Sequence, residues 1–261
     1  MRRNAASLCV MIHARAVKSD RPMEATEATL SAPQIPQIQF QFDRTRHAAP
    51  QVFEHMRDMI ISMTLPPGTV LSRTDLAAQY GISQTPVRDA LMRLAEEGLV
   101  DIFPQHATVV SPISIALAQQ AHFLRRSVEV EIVRTLAEAP DPALVERLRL
   151  SVARQQAMLA AQDFAEFSLF DQAFHRQMYE AARVPDLWML VRRQSGHLDR
   201  LRRLHLPIAG KANAVVADHT AIVDAIASGD PDAAQASLRR HLSGTLANLE
   251  EIRARYGDFL Q

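Results

Sequence analysis

The sequence predicts a mainly α protein in two parts, a small head with a two-stranded ribbon and, behind it, an all-α bundle. Three observations carry this. Between residues 50 and 111 three helical patterns are followed by two short apolar runs. Beyond Pro112, helical periods and capping residues continue to the end without a convincing strand. A composition of 48% hydrophobic and 22% charged residues over 261 positions is enough for two buried cores and is not that of a disordered chain.

Residues 1–46 contain Pro22, Pro33 and Pro36 among Ala, Thr and Gln with no sustained period, and are read as a flexible N-terminal arm in which Met11 or Met23 is an alternative start. In residues 47–111, "QVFEHMRDMIISM" is helical by period and "LPPGTVL" is a tight connection. "SRTDLAAQY" is a short helix opened by a Ser cap and stopped at Gly81. "SQTPVRDALMRLAEEG" has Ser83 or Thr85 as cap, Pro86 near its first position and Gly98 as its stop. "LVDIF" and "TVVSP" then flank the turn "PQHA". Three helices followed by a ribbon is the order of a winged helix-turn-helix.

Residues 112–261 give six helices, the antiparallel bundle of the second part. Ser114 opens the first; Asp141 and Pro142 open the second; Asp163 with Glu166 three residues on forms a capping box for the third. The fourth runs from Pro185 to Pro207, the fifth ends at Gly229, and the sixth restarts at Asp230 and Pro231.

Composition excludes several classes. The single cysteine, Cys9, allows neither an intrachain disulfide nor a cysteine-built zinc site. The apolar run "LCVMI" is too short for a signal-peptide core, and nothing approaches the roughly 20 apolar residues that span a bilayer, so a cytoplasmic protein with no membrane partner is expected. Zero formal net charge gives no global pull toward polyanions, so a nucleic acid must be recognised locally.

Within the third helix, Asp171 and His175 stand four apart, one above the other beside the apolar stripe of Phe170, Phe174 and Met178. His219 and His241 lie ten residues before and eleven after the "GD" turn of a helical hairpin, hence level with each other across it. If the helix of Asp171 packs on that hairpin, one carboxylate and three imidazoles meet, a donor set that suits zinc first, then nickel, manganese or iron. Each histidine alone is as readily a hydrogen-bonded polar residue at a helix interface.

The segment "LPPGTVLSRTDLAAQYGISQTPVRDALMRLAEEGLVDIFPQHATVVSPIS" resembles the DNA-binding domain of GntR-family transcriptional regulators, densely and over about 60 residues. The rest resembles the all-helical FCD effector domain of the FadR subfamily through "LRRSVEVE", Asp171-x3-His175, "DHTAIVDAI" and "LRRHL". The resemblance implies that Asp171, His175, His219 and His241 hold a divalent metal that helps to bind a small carboxylate. It further implies that Arg125, four residues before Glu129, clamps that carboxylate rather than forming a plain surface pair.

In such a head the recognition helix reads base edges with its first residues, here Ser83, Gln84, Thr85 and Arg88, with Arg88 the natural reader of guanine. Arg73 is a further phosphate or base contact, and Gln105 and His106 at the wing tip face the minor groove or its phosphates. Two departures from the family pattern stand out. Gln84 replaces a common Arg, which changes the expected half-site; Ala107 replaces a common Gly, which puts a tight wing turn in doubt. Residues 47–110 hold four Arg against seven acids, so affinity should depend on a homodimer placing two heads on a palindromic operator.

On the fourth bundle helix, Gln194, His197 and Leu201 fall on or beside the stripe of Leu187, Leu190 and Leu198, with Arg200 at its edge. Gln194, His197 and Arg200 therefore join Arg125 as expected effector contacts. The resulting expectation is a DNA-binding repressor, not an enzyme, released by an organic or sugar acid. A metal-sensing regulator is the first alternative. A metalloenzyme is less favoured, since no HExxH or nucleophile motif is present, and an acyl-CoA sensor is disfavoured by the four ligands.

Overall fold

A computed structural model describes residues 35–104 and 106–261. The head is built from α1 (Ala48–Ile61), β1 (Val70–Leu71), α2 (Arg73–Tyr80), α3 (Gln84–Glu96), β2 (Val100–Phe103) and β3 (Ala107–Val110). The strands form one antiparallel sheet in the order β1-β3-β2, with Val100 opposite Val110 and Phe103 opposite Ala107. At two residues, β1 is too short to show alternation in the sequence. The Ser72 side chain accepts from the Asp75 amide to start α2, and Gly81 ends it at φ 66°, both as the sequence predicts. Ala107 is an ordinary strand residue. Among the described residues, positive φ outside glycine occurs only at Met63, Gln162 and Arg183, so the doubt about the wing turn is removed at that position.

Residues 35–46 correct the reading of a flexible arm up to 46. Ile38 is buried, its amide donates to Gln79 Oε1 at 2.9 Å, and Phe40 and Phe42 stack edgewise on each other and pack on Tyr80. The alternation "FQF" is what composition hid. The earlier part of the arm, with Cys9, Met11 and Met23, lies outside the described residues.

The second part contains α4 (Ile115–Glu138), α5 (Pro142–Ala160), α6 (Phe164–Ala181), α7 (Pro185–Gln194), α8 (Gly196–His205), α9 (Lys211–Ala227), α10 (Pro231–Ala247) and α11 (Leu249–Tyr256). The all-α class is as expected, but six predicted helices become eight. The fourth breaks at Ser195–Gly196, where the head presses in: a Cβ on Gly196 would stand 2.7 Å from Leu99 Cδ2. The sixth breaks at Asn248. Nor is the chain helical to its end. Ile113 N donates to Phe259 O and Gln261 N to Ile113 O, a short parallel bridge that returns the C-terminus to the start of α4.

Side-chain caps from Ser114, Asp141, Asp163 and Asp230 begin α4, α5, α6 and α10, but the capping box expected at α6 is only half formed, because the Asp163 amide donates to the Met158 carbonyl and not to Glu166. The hairpin α9–α10 packs against α4, and α5 against α6 and α9, around a core that includes Leu148, Phe174, Tyr179, Ile222 and Leu238. This layering delivers α6 to the hairpin, the condition for the Asp171 and His175 pair to meet His219 and His241. No described helix is long and apolar enough to cross a membrane.

Candidate metal centre and nucleic-acid interface

Asp171 and His175 from α6, His219 from α9 and His241 from α10 converge as a buried cluster whose donor atoms all lie within 4.8 Å of one another. The Nε2 atom of His241 stands 3.2 Å from Nε2 of His175 and 3.2 Å from Nε2 of His219. Asp171 Oδ1 lies 3.7 Å from His219 Nε2 and, though buried, has no hydrogen bond among the described residues.

The partners behind the rings decide which nitrogens carry protons. Gln155 donates through Nε2 to the Phe170 carbonyl at 3.2 Å, which turns its Oε1 toward His219 Nδ1 at 2.8 Å. An amide oxygen only accepts, so His219 is protonated at Nδ1 and offers a bare lone pair at Nε2. Glu129 Oε2 lies 3.0 Å from His175 Nδ1, out of line for a hydrogen bond, but its negative charge favours a proton on that nitrogen and so the same tautomer. Burial lowers the pKa of all three imidazoles, that of His219 to about 3, and keeps them neutral. At least two lone pairs and a carboxylate oxygen therefore face one another, while a single proton on His241 Nε2 can bond only one neighbour. A divalent cation satisfies all four groups at once, and the donor set fits it.

Acidity around the cluster is held by arginines. Burial would raise the carboxyls of Glu129 and Asp171, but Arg125 beside the first and Arg202 beside the second outweigh it, and both lie below the usual range. Arg125 Nε donates to Glu129 Oε1 at 2.7 Å, and the Tyr179 hydroxyl donates to the same oxygen at 3.3 Å. Arg202 donates to Asp171 Oδ2. A cavity of about 260 Å³ opens over the cluster, with Arg125, Asp171, Arg202, Lys211 and His241 in its wall together with Asp58 and Ile61 from α1 of the head and Ser62 just after it.

Three expected effector contacts are elsewhere. Gln194 is exposed and lines no part of the cavity. Arg200 and His197 are buried at the junction of the two parts, where Arg200 donates to the Ser111 carbonyl at 2.7 Å and His197 Nδ1 accepts from the Ser114 amide at 3.0 Å. Of the stripe that suggested a pocket, Leu198 lines the cavity, whereas Leu187 and Leu190 are exposed. Sequence reasoning missed Arg202, Lys211 and Gln155, and gave Glu129 no part in the site; a polar residue one turn from a core stripe carries no mark of the partner it will meet.

On the head, Arg73, Ser83, Gln84, Thr85 and Arg88 are exposed at the start of α2 and α3, and His106 is exposed at the wing. Gln105 lies outside the described residues. Gln84 Nε2 reaches Thr74 Oγ1 at 3.4 Å, which adds an exposed threonine to this face. Among the described residues Arg88 pairs only with its neighbour Asp89 at 3.2 Å, with 62% of the side chain exposed, a weak tether that a base edge can displace.

Comparison with known proteins bears on both surfaces. A model described as "Bacterial regulatory proteins, gntR family" matches residues 48–110, and one described as "FCD domain" matches residues 120–244. A Streptomyces ambofaciens chain named as an uncharacterized HTH-type transcriptional regulator is 38% identical over 203 residues, covering 78% of this chain and 85% of that one. The HTH-type transcriptional repressor RspR of Escherichia coli K12 is 24% identical over 222 residues, covering 85% and 97%. Among solved structures, E. coli McbR/YncC superposes with a TM-score of 0.68 at 19% identity over 79% of this chain and 98% of that one, a likeness of fold.

Proposed function

The chain belongs to the gntR family of bacterial regulatory proteins, with an FCD domain behind its DNA-binding head, and we propose that it is a homodimeric repressor controlled by a small carboxylate bound at a divalent metal. It is a DNA-binding regulator of transcription rather than an enzyme.

The observation that carries the proposal is the meeting of the four-ligand cluster with a cavity walled by Arg125, Arg202 and Lys211. Asp171, His175, His219 and His241 would hold the ion, zinc in first place. When bound, the ion supplies positive charge and coordination positions for carboxylate oxygens. Arg125 and Lys211 bring further charge to the same cavity, and their side chains favour an acid over a neutral metabolite. Those cations also favour an acid effector over the metal-sensing alternative, which has no use for them.

DNA recognition falls to Ser83, Gln84, Thr85 and Arg88 at the start of α3, with Arg73 and His106 on flanking phosphates or the minor groove. The head's deficit of positive charge makes two heads on a palindromic operator the economical arrangement. Phe123 on α4 and Met189 on α7, 68% and 67% exposed, are large apolar side chains that a second copy can cover.

Operator binding measured by fluorescence anisotropy, with and without a chelator and at fixed acid, tests this reading. The acid should weaken the operator complex only when metal is present, and operator should weaken acid binding by the same factor, typically about 5- to 150-fold. An acid effect that survives complete removal of metal would contradict it, and a metal effect with no acid present would favour the metal sensor.

A further inference from the structure

Two charged side chains in the cavity wall, Asp58 of α1 and Lys211 of α9, have no hydrogen bond or ion pair from their side chains among the described residues. The other charges around them are committed. Arg125 is held by Glu129, Arg202 by Asp171 and Asp199, Asp199 also by Arg192 at 2.5 Å, and Arg203 donates to the Phe164 carbonyl at 2.7 Å. Lys211 adds to the positive side of the cavity and suits an acid. Asp58 does the opposite. It is the one uncommitted acid in that wall, and it repels a second carboxylate while accepting from any ammonium or hydroxyl brought near it. The same wall carries the apolar side chains of Ile61, Leu198, Val215 and Leu242, a surface for a hydrocarbon body.

We propose that the effector is an acid that also carries a hydrogen-bond donor, an ammonium or a hydroxyl, and that Asp58 receives this donor and sets specificity. This rests on the reading that a carboxylate binds at the metal end. Asp58 belongs to the first helix of the DNA-binding head, so the effector touches both parts of the chain. The next residue back, Arg57, is where α1 is fastened to the bundle, through a 2.6 Å bond to the Arg192 carbonyl. A ligand that draws on Asp58 therefore acts on the helix whose attachment places the head, and it needs no longer route to differ in affinity between the DNA-competent and incompetent arrangements.

The test uses the full-length, zinc-loaded protein and calorimetry with three series of straight-chain probes of graded length: fatty acids, their ω-hydroxy acids and their ω-amino acids. At the length that spans the cavity, an amino or hydroxy acid should bind about tenfold tighter than the fatty acid of equal length, the increment of a hydrogen bond to a charged group. Asp58→Ala, which removes the acceptor altogether, should abolish that preference, leave zinc content unchanged and leave fatty-acid binding no weaker than in wild type. Fatty acids that bind as tightly as the substituted acids at every length, or a preference that persists in Asp58→Ala, would overturn the assignment of Asp58 alone. Failure of all three series to bind would overturn it together with the carboxylate reading beneath it.

Discussion

Arg57 on α1 donates from Nη2 to the carbonyl oxygen of Arg192 at 2.6 Å, and from Nε to Glu97 Oε2 at 2.7 Å. One side chain thus joins the head's first helix, the end of its recognition helix and the α7–α8 break. Beyond Arg192 the charges continue through Asp199 and Arg202 to Asp171, a ligand of the candidate metal centre. The recognition helix of the head and the candidate metal centre are therefore linked through this run of polar contacts.

Arg57→Ala strands Glu97, whose side chain is only 8% exposed, and leaves the Arg192 carbonyl without this donor. The expected loss of stability is about 1 to 3 kcal/mol, the cost of a buried group left unsatisfied. Urea unfolding followed by circular dichroism measures it. A midpoint unchanged from wild type would show that the junction does not depend on this contact.

Gln155→Ala removes the oxygen that fixes the His219 tautomer at 2.8 Å without touching a ligand. Zinc affinity, measured by competition with a chromophoric chelator, should fall about 10- to 100-fold. The helical content should stay the same. An unaltered affinity would mean that the tautomer is set by something else.

Much of this site was legible before any coordinates. The i, i+4 spacing of Asp171 and His175 fixes a shared face, and counting from the hairpin turn places His219 level with His241, whose Nε2 atoms indeed stand 3.2 Å apart. Helix starts were equally legible, because Ser114, Asp141 and Asp230 announce them with a short polar side chain at a fixed offset. What stayed hidden depends on partners distant in the chain. Arg200 and His197 carry the pattern of pocket residues, yet the carbonyl and amide they bind lie more than eighty positions away at the junction. The α7–α8 break falls beside Gly196, where Leu99 of the head approaches, a contact that no local period records.

His197 gives a pH signature away from the metal. Its Nδ1 accepts from the Ser114 amide, and burial, with Arg200 beside it, lowers its pKa to about 4 from the ordinary 6.5. As pH falls from 6.5 toward 4, the unfolded chain takes up a proton that the folded chain refuses, so stability should fall through that window; above 6.5 this residue contributes no slope. His197→Gln should flatten the dependence. Unfolding free energies at a series of pH values supply the comparison, and an identical slope in both proteins would contradict it.

Arg88→Ala should weaken specific operator binding by about 1 to 3 kcal/mol and relax preference at one base pair, as for a lost bidentate contact. Because Arg88 is exposed and, among the described residues, tied only to Asp89, folding should be unaffected. Footprinting that is equally strong and equally selective would remove this residue from the base-reading set.

The most direct measurement for the account as a whole is the metal content of the purified protein by elemental analysis, in wild type and in the His219→Ala/His241→Ala double variant. Both residues are buried members of the same candidate cluster, so the account predicts about one divalent ion per wild-type chain and a large loss in the variant, with the helices retained. Wild-type protein without stoichiometric metal after expression in metal-replete medium, or a double variant that keeps the full amount, would contradict it.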